Sequence, residues 1–148
     1  MHRRINNFLN ANNTLYEGQY GFRAGWSCEY ALLNAQNTLS CLLSKKQVFL
    51  LLLIDFSKAF DMIEHDILLR KLSHFGIRGE AYNCTKSYLS NRYLFVSING
   101  ESSSLSEIKY GMPQGSIFGP LLFIIYINGI SSIFKLLNSF FMLTMLIL

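Results

Sequence analysis

An apolar run that ends on a single carboxylate constrains this chain more than any other feature. Leu50, Leu51, Leu52, Leu53 and Ile54 lead straight into Asp55, and Phe56-Ser57-Lys58-Ala59-Phe60-Asp61 follow. Such an uninterrupted run predicts a strand over 47–55, buried on both faces. It sets Asp55 at the end of that strand, where losing water is costly unless a cation offsets the charge. A divalent metal is one such cation, and Lys58 is another. The local sequence leaves both open.

A second stretch reads Lys109-Tyr110-Gly111-Met112-Pro113-Gln114-Gly115, with Gly119-Pro120 beyond it. Glycine lets a ligand approach the backbone closely, and Gln114 offers both a donor and an acceptor. The same residues also suit a plain strand-to-helix connection. Asp61, Glu64, His65 and Asp66 form an acidic group with one imidazole. Such a set can hold a metal, but these residues read more simply as the start of a helix capped by Asp66. Tyr16, Tyr20, Phe22 and Trp26 interleave with Arg23. Aromatic rings with arginine can stack on bases and hold phosphate, although a packed loop uses the same residues.

The remaining elements follow from periodicity and punctuation. Ile5, Phe8 and Leu9 predict a short amphipathic helix over 5–15, broken by Asn12-Asn13-Thr14. Ser27 is placed to cap a helix with Cys28, Ala31, Leu32, Ala35, Leu39 and Leu42 on one face, ended by Lys45-Lys46. Helices are predicted over 67–75, with Gly76 as the stop, and over 80–90. Strands are predicted over 93–98 and 105–110. Asn99-Gly100 is the dipeptide of a tight hairpin turn, and Ser102–Ser104 can lengthen the loop. Gly119-Pro120 opens a helix that reaches about Asn128. Helices, a buried strand, more helices, a hairpin and a last helix make an α+β fold.

Composition narrows the class. The chain has 148 residues, is 51% hydrophobic and is 15% charged, which excludes a disordered chain. A net charge of +4 mildly favours an anionic partner. Cys28, Cys41 and Cys84 are far apart, which points to reduced intracellular thiols rather than a disulfide framework or a zinc site. Residues 5–13 are too polar for a signal-peptide core. The apolar run 139–148 is far shorter than the ~20 residues of a membrane span. The expectation is an intracellular chain, nuclear or cytoplasmic, neither secreted nor in a membrane, with no obligate protein partner identifiable.

Taken together, these segments resemble the reverse transcriptase domain of non-LTR, LINE-type retrotransposons. Gln19–Leu32 is similar to the family's fingers segment, and Ile54–Leu69 to its first palm motif and following helix. Lys86–Arg92 and Val96–Gly100 are similar to the connecting region, and Tyr110–Ile127 to the template-grip motif and next helix. The resemblance implies a partial right-hand polymerase, palm plus part of the fingers, truncated at both ends. Residues 1–46 would belong to the fingers, 47–135 to the palm and connecting region, and 136–148 to a frame-shifted tail. It implies an RNA template, a DNA primer and Mg2+. Asp55 would be the first metal ligand, with the Phe56 carbonyl a second contact. Phe60 would be the gate against a ribose 2′-hydroxyl. Gln114 and Gly115 would touch the template–nucleotide pair, and Arg23 the template or nucleotide.

The departures point to a chain that does not polymerise alone. No acidic residue follows Glu107, so the family's Tyr-Ala-Asp-Asp hairpin, due shortly after Lys135, is missing. Its place holds Phe141-Met142-Leu143-Thr144-Met145. If Phe141 ends in T, Leu143 is CTG and Thr144 is ACG, reading one base earlier gives TAT, GCT, GAC, GAT. Those codons spell the missing motif, with the frame break expected within 129–140. A nucleic-acid-binding remnant and a decayed product without function are the alternatives.

Overall fold

A computed structural model describes residues 1–48, 54–113 and 115–130. Five helices and four short strands occur among them, so the fold is α+β. The chain divides into two compact units. The first joins Met1–Thr14 to Lys58–Tyr126, and the second holds Leu15–Ser57 and the residues from Ile127 onward.

In the first unit, α1 (His2–Ala11) turns Ile5 and Leu9 into the core. Phe8, expected on the same face, stays partly exposed and instead lies beside Gly76. The helix ends as Asn13 takes a positive φ of 48°, and Thr14 N–H reaches back to the Leu9 carbonyl. Asparagine tolerates that left-handed geometry better than most residues.

The next helix, α2 (Cys28–Ser44), belongs to the second unit. Ser27 caps it as expected, its Oγ accepting from Tyr30 N–H at 3.3 Å. Its inward face differs from the expected one. Ala31 is buried and Asn34, Ala35, Thr38, Leu39 and Leu42 are half-buried, whereas Cys28 and Leu32 are exposed. The cap sets the first turn at the surface, and polar Asn34 and Thr38 turn inward because hydrogen bonds satisfy them. Thr38 Oγ1 donates to the Asn34 carbonyl, and Asn34 Nδ2 to the Tyr20 hydroxyl.

Back in the first unit, α3 (His65–His74) starts two residues before the expected 67. Glu64, not Asp66, is the N-cap residue, and no side chain caps the helix. Asp66 lies inside the first turn, where its charge still complements the helix dipole. The C-terminus follows the expectation. Gly76 takes φ +84°, its N–H bonds to the Ser73 carbonyl, and Ile77 N–H bonds to the Leu72 carbonyl. Leu72 and Ile77 are both buried, completing the apolar contact that accompanies this closure.

Helix α4 (Gly79–Leu89) contributes Leu89 and Thr85 to the core. Thr85 is a buried polar side chain whose hydroxyl donates to the Ala81 carbonyl. Helix α5 (Gly119–Ile127) begins at the expected Gly119. Leu121, Leu122, Phe123, Ile124 and Ile125 are all buried, so it is enclosed all round. Lys71 of α3 donates its ammonium to the Tyr126 carbonyl near the end of α5 and lies 5.0 Å from the Tyr126 ring. Burial pushes the Lys71 pKa down from its ordinary range.

The hairpin forms as four short strands rather than two long ones. β1 (Tyr93–Leu94) pairs with β4 (Ser106–Glu107), and β2 (Ser97–Ile98) with β3 (Glu101–Ser102), both antiparallel. Asn99 and Gly100 have φ of 51° and 86° and close a two-residue turn. The return arm therefore begins at Glu101, not at 105. Ser97 faces Ser102, but Leu94 faces Ser106, so the return arm holds one extra residue between the ladders. That bulge splits each predicted strand in two.

Of the strand predicted over 47–55, residues 49–53 lie outside the described residues. Its described flanks, Gln47, Val48, Ile54 and Asp55, are exposed and not in a strand. No helix of the described residues is long and apolar enough to cross a membrane.

Candidate functional site

Two segments of the first unit far apart in sequence are laced together. Near Lys58 the backbone turns sharply, with φ of 53° at that residue and the Asp61 and Met62 N–H groups both returning to its carbonyl. The chain then passes through fully buried Ile63 and pairs Glu64 with Tyr110 in an antiparallel bridge. Gly111 N–H donates to the Ile63 carbonyl at 2.8 Å and Met112 N–H to the Phe60 carbonyl at 3.0 Å. His65 Nε2 adds a third tie, 2.7 Å from the Gly111 carbonyl. Because a carbonyl only accepts, that nitrogen carries the proton.

Glycine is required at 111. Its φ is +86°, and a Cβ there would lie 3.2 Å from both the Cα and the carbonyl oxygen of Asp61. The close approach expected of this glycine is therefore made to the protein's own backbone. Further along, Tyr88 of α4 donates its hydroxyl to Ser116 Oγ at 2.7 Å, and Ser116 Oγ accepts from Phe118 N–H. The turn that joins the hairpin to α5 is thus held from α3 on one side and α4 on the other.

Two of the expected residues, Phe60 and Gly115, fall in the first unit. Phe60 is half-buried, its ring 4.8 Å from Phe123 of α5 while its carbonyl anchors Met112. Gly115 follows in the same unit with φ +75°. Gln114 lies outside the described residues. Asp55, Phe56 and Arg23 belong to the second unit. Asp55 is exposed, and Phe56 is 38% exposed.

Arg23 is engaged by its own loop. One guanidinium nitrogen donates to the Tyr16 and Gln19 carbonyls at 3.1 and 3.3 Å, and the group lies 5.0 Å from the Trp26 ring. Burial pushes its pKa down, and Glu17 opposes that shift. With Tyr20 edge-on to Trp26 and Gln19 buried, the aromatic stretch is a packed loop closed around Arg23.

Asp61, Glu64, His65 and Asp66 resolve into a helix start and a backbone tie. No group of three or more metal-ligating side chains occurs among the described residues. Sequence reasoning placed His65 in an acidic group that can hold a metal, not in a backbone tie, and did not single out Tyr88. Neither belongs to a periodic pattern that reports a partner 46 or 28 residues away. Replacing His65 with Ala removes one hydrogen bond and leaves the Gly111 carbonyl without it. The expected loss is about 1–2 kcal/mol of unfolding free energy in urea. His65→Gln, which carries an amide donor at similar reach, is expected to recover part of it.

The family model described as "Reverse transcriptase (RNA-dependent DNA polymerase)" matches residues 1–145, and the chain belongs to that family. Its relatives are polymerases of non-LTR mobile elements. The chain is 29% identical over 123 residues to the probable RNA-directed DNA polymerase from transposon BS of Drosophila melanogaster, covering 83% of this chain and 14% of that protein. It is 32% identical over 108 residues to the RNA-directed DNA polymerase from mobile element jockey of the same fly, covering 73% and 12%. The matching protein from transposon X-element is 30% identical over 123 residues, covering 83% and 13%. The chain thus spans about an eighth of the length of these relatives.

Proposed function

We propose that this chain is the palm and part of the fingers of an RNA-directed DNA polymerase, and that alone it does not polymerise. The observation that carries the reading is the lacing of Phe60–His65 to Tyr110–Met112, which joins the two polymerase-like motifs in one compact unit. In this reading Phe60 bounds the sugar side of a nucleotide site and its ring is held in place by Phe123. Gln114 and Gly115 face the template–nucleotide pair. Residues 1–46 belong to the fingers, 47–135 to the palm and connecting region. Arg23 acts from the fingers by shaping the loop it closes rather than by offering a free guanidinium.

Asp55, with the Phe56 carbonyl, would hold one Mg2+, which in such enzymes activates the attacking hydroxyl and stabilises the leaving group. The described residues do not fit a two-metal centre. Asp55 is an exposed, single carboxylate, and no cluster of three ligating side chains includes it. No catalytic step is therefore derived through the metal. The template would be RNA and the primer DNA. Cys28, Cys41 and Cys84, all free and exposed, support an intracellular setting.

Primer extension with the purified chain tests the reading. The expected result is no template-dependent DNA synthesis above an Asp55→Ala control. Synthesis that Asp55→Ala abolishes would show a complete site and defeat the claim of incompetence. The genomic bases under residues 129–145 test the frame break. Third bases in Phe141, Leu143 and Thr144 other than those required would remove it.

A further inference from the structure

We propose that the groove between α1 and the turn from α3 to α4 docks an acidic peptide that carries an apolar anchor. The inference stands on the groove alone and not on the polymerase reading above. The groove measures about 270 Å3 and lies wholly within the first unit. That is below the usual range of small-ligand clefts (roughly 300–1,000 Å3), and suits an inserted side chain better than a cofactor.

Its floor is apolar. Ile5 of α1 and Ile77 of the turn line it and are buried. Phe8 lines it too and stays 38% exposed. A Cβ at Gly76 would lie 3.4 Å from the tip of the Phe8 ring, so the glycine keeps the groove open there. Its rim is cationic. Arg4 enters from α1 and Arg78 from the residue before α4, and both are exposed. Neither guanidinium has an ion pair or a hydrogen bond among the described residues. Arg23 and Arg92, by contrast, are engaged by nearby carbonyls and rings. No acidic side chain lines the groove; Glu80, in the first turn of α4, stays outside it.

Two cations without counter-charges beside a small apolar hollow define the partner's chemistry. It places an apolar side chain in the hollow and carboxylates on the rim. A planar guanidinium meets a carboxylate through paired hydrogen bonds. An apolar side chain seated in a pocket gives the contact its anchor. A nucleic acid fits less well. Phosphates suit the arginines, but the lining offers a base no other hydrogen-bonding side chain, and the tip of the Phe8 ring already abuts Gly76. Charges exposed on a rim set partner choice and encounter rate more than affinity, so binding is expected to be rapid and salt-sensitive.

The test titrates a labelled Asp-Glu-Leu-Leu-Asp-Glu peptide, its ends blocked, with the full chain and follows fluorescence anisotropy. The parent chain is expected to bind it, and to bind the same peptide with serine for both leucines several-fold more weakly. The double variant Arg4→Gln, Arg78→Gln is expected to weaken binding about fivefold or more and to flatten its salt dependence. Both side chains are exposed and unpaired, so circular dichroism should not change. Ala81→Phe fills the groove from α4 and keeps both arginines; it should remove the preference for leucine over serine. The proposal is overturned if the parent does not bind the peptide, or if the glutamine variant binds it as the parent does. Equal binding of the leucine and serine peptides would also overturn it, because charge alone would then explain the contact. So would a labelled RNA that displaces the peptide and loses affinity in both variants, which would make the groove a nucleic-acid site. All of these outcomes leave the polymerase reading intact, since neither arginine takes part in the lacing of Phe60–His65 to Tyr110–Met112.

Discussion

Gly111→Ala is expected to lower the unfolding free energy by about 2–4 kcal/mol. Two costs add. A non-glycine residue held at φ +86° costs roughly 1–2 kcal/mol. The new methyl would also sit 3.2 Å from the Cα and carbonyl oxygen of Asp61, and forcing atoms into packed backbone costs roughly 1–3 kcal/mol. Gly76→Ala separates them. Its φ is +84°, but its Cβ would meet only the far end of the Phe8 ring, at an ordinary 3.4 Å. Gly76→Ala should therefore show the conformational cost alone, and Gly111→Ala visibly more. Urea midpoints with unchanged slopes measure both. Equal losses in the two variants would mean that the Asp61 backbone does not press on residue 111.

Phe123→Ala should cost still more, about 3–5 kcal/mol. The side chain is 2% exposed in a helix buried on every side, and its ring meets Phe60 at 4.8 Å. Its loss leaves a cavity under the residue read as the sugar gate. Phe60→Ala should cost less, because that ring is only half-buried. A double-mutant cycle should leave a coupling of about 0.5–1.5 kcal/mol for the aromatic pair. A Phe123→Ala loss below about 1 kcal/mol, again from urea midpoints, would contradict the packing of α5. A domain of ordinary stability holds about 5–15 kcal/mol, so at the low end of that range either large effect would bring the unit close to unfolding.

How far the sequence announced this architecture depends on the range of the interaction. Ser27, Gly76, Asn13 and the Asn99-Gly100 turn act through hydrogen bonds a few residues away, and all were legible. The inward face of α2 was not, because Asn34 satisfies its side chain on the Tyr20 hydroxyl outside the helix and Thr38 on the Asn34 carbonyl, so both can replace Leu32 at the inner side. The hairpin bulge was hidden because one extra residue between Ser102 and Ser106 leaves no mark in an exposed, serine-rich arm. At the site, the residue types of Phe60–Asp61 and Gly111–Gly115 drew notice from sequence alone. What joins them did not. The bonds from Ile63, Phe60 and His65 reach across some fifty residues, and long-range pairing of that kind has no local signature.

The central claim is that Phe60–His65 and Tyr110–Met112 form one hydrogen-bonded unit, and amide hydrogen exchange of the full chain tests it most directly. Gly111 and Met112 donate to Ile63 and Phe60 from buried positions. Both amides are predicted to exchange as slowly as the core of α3, through opening of the whole unit. Exchange of both at the rate of an unstructured peptide, while α3 stays protected, would contradict the account.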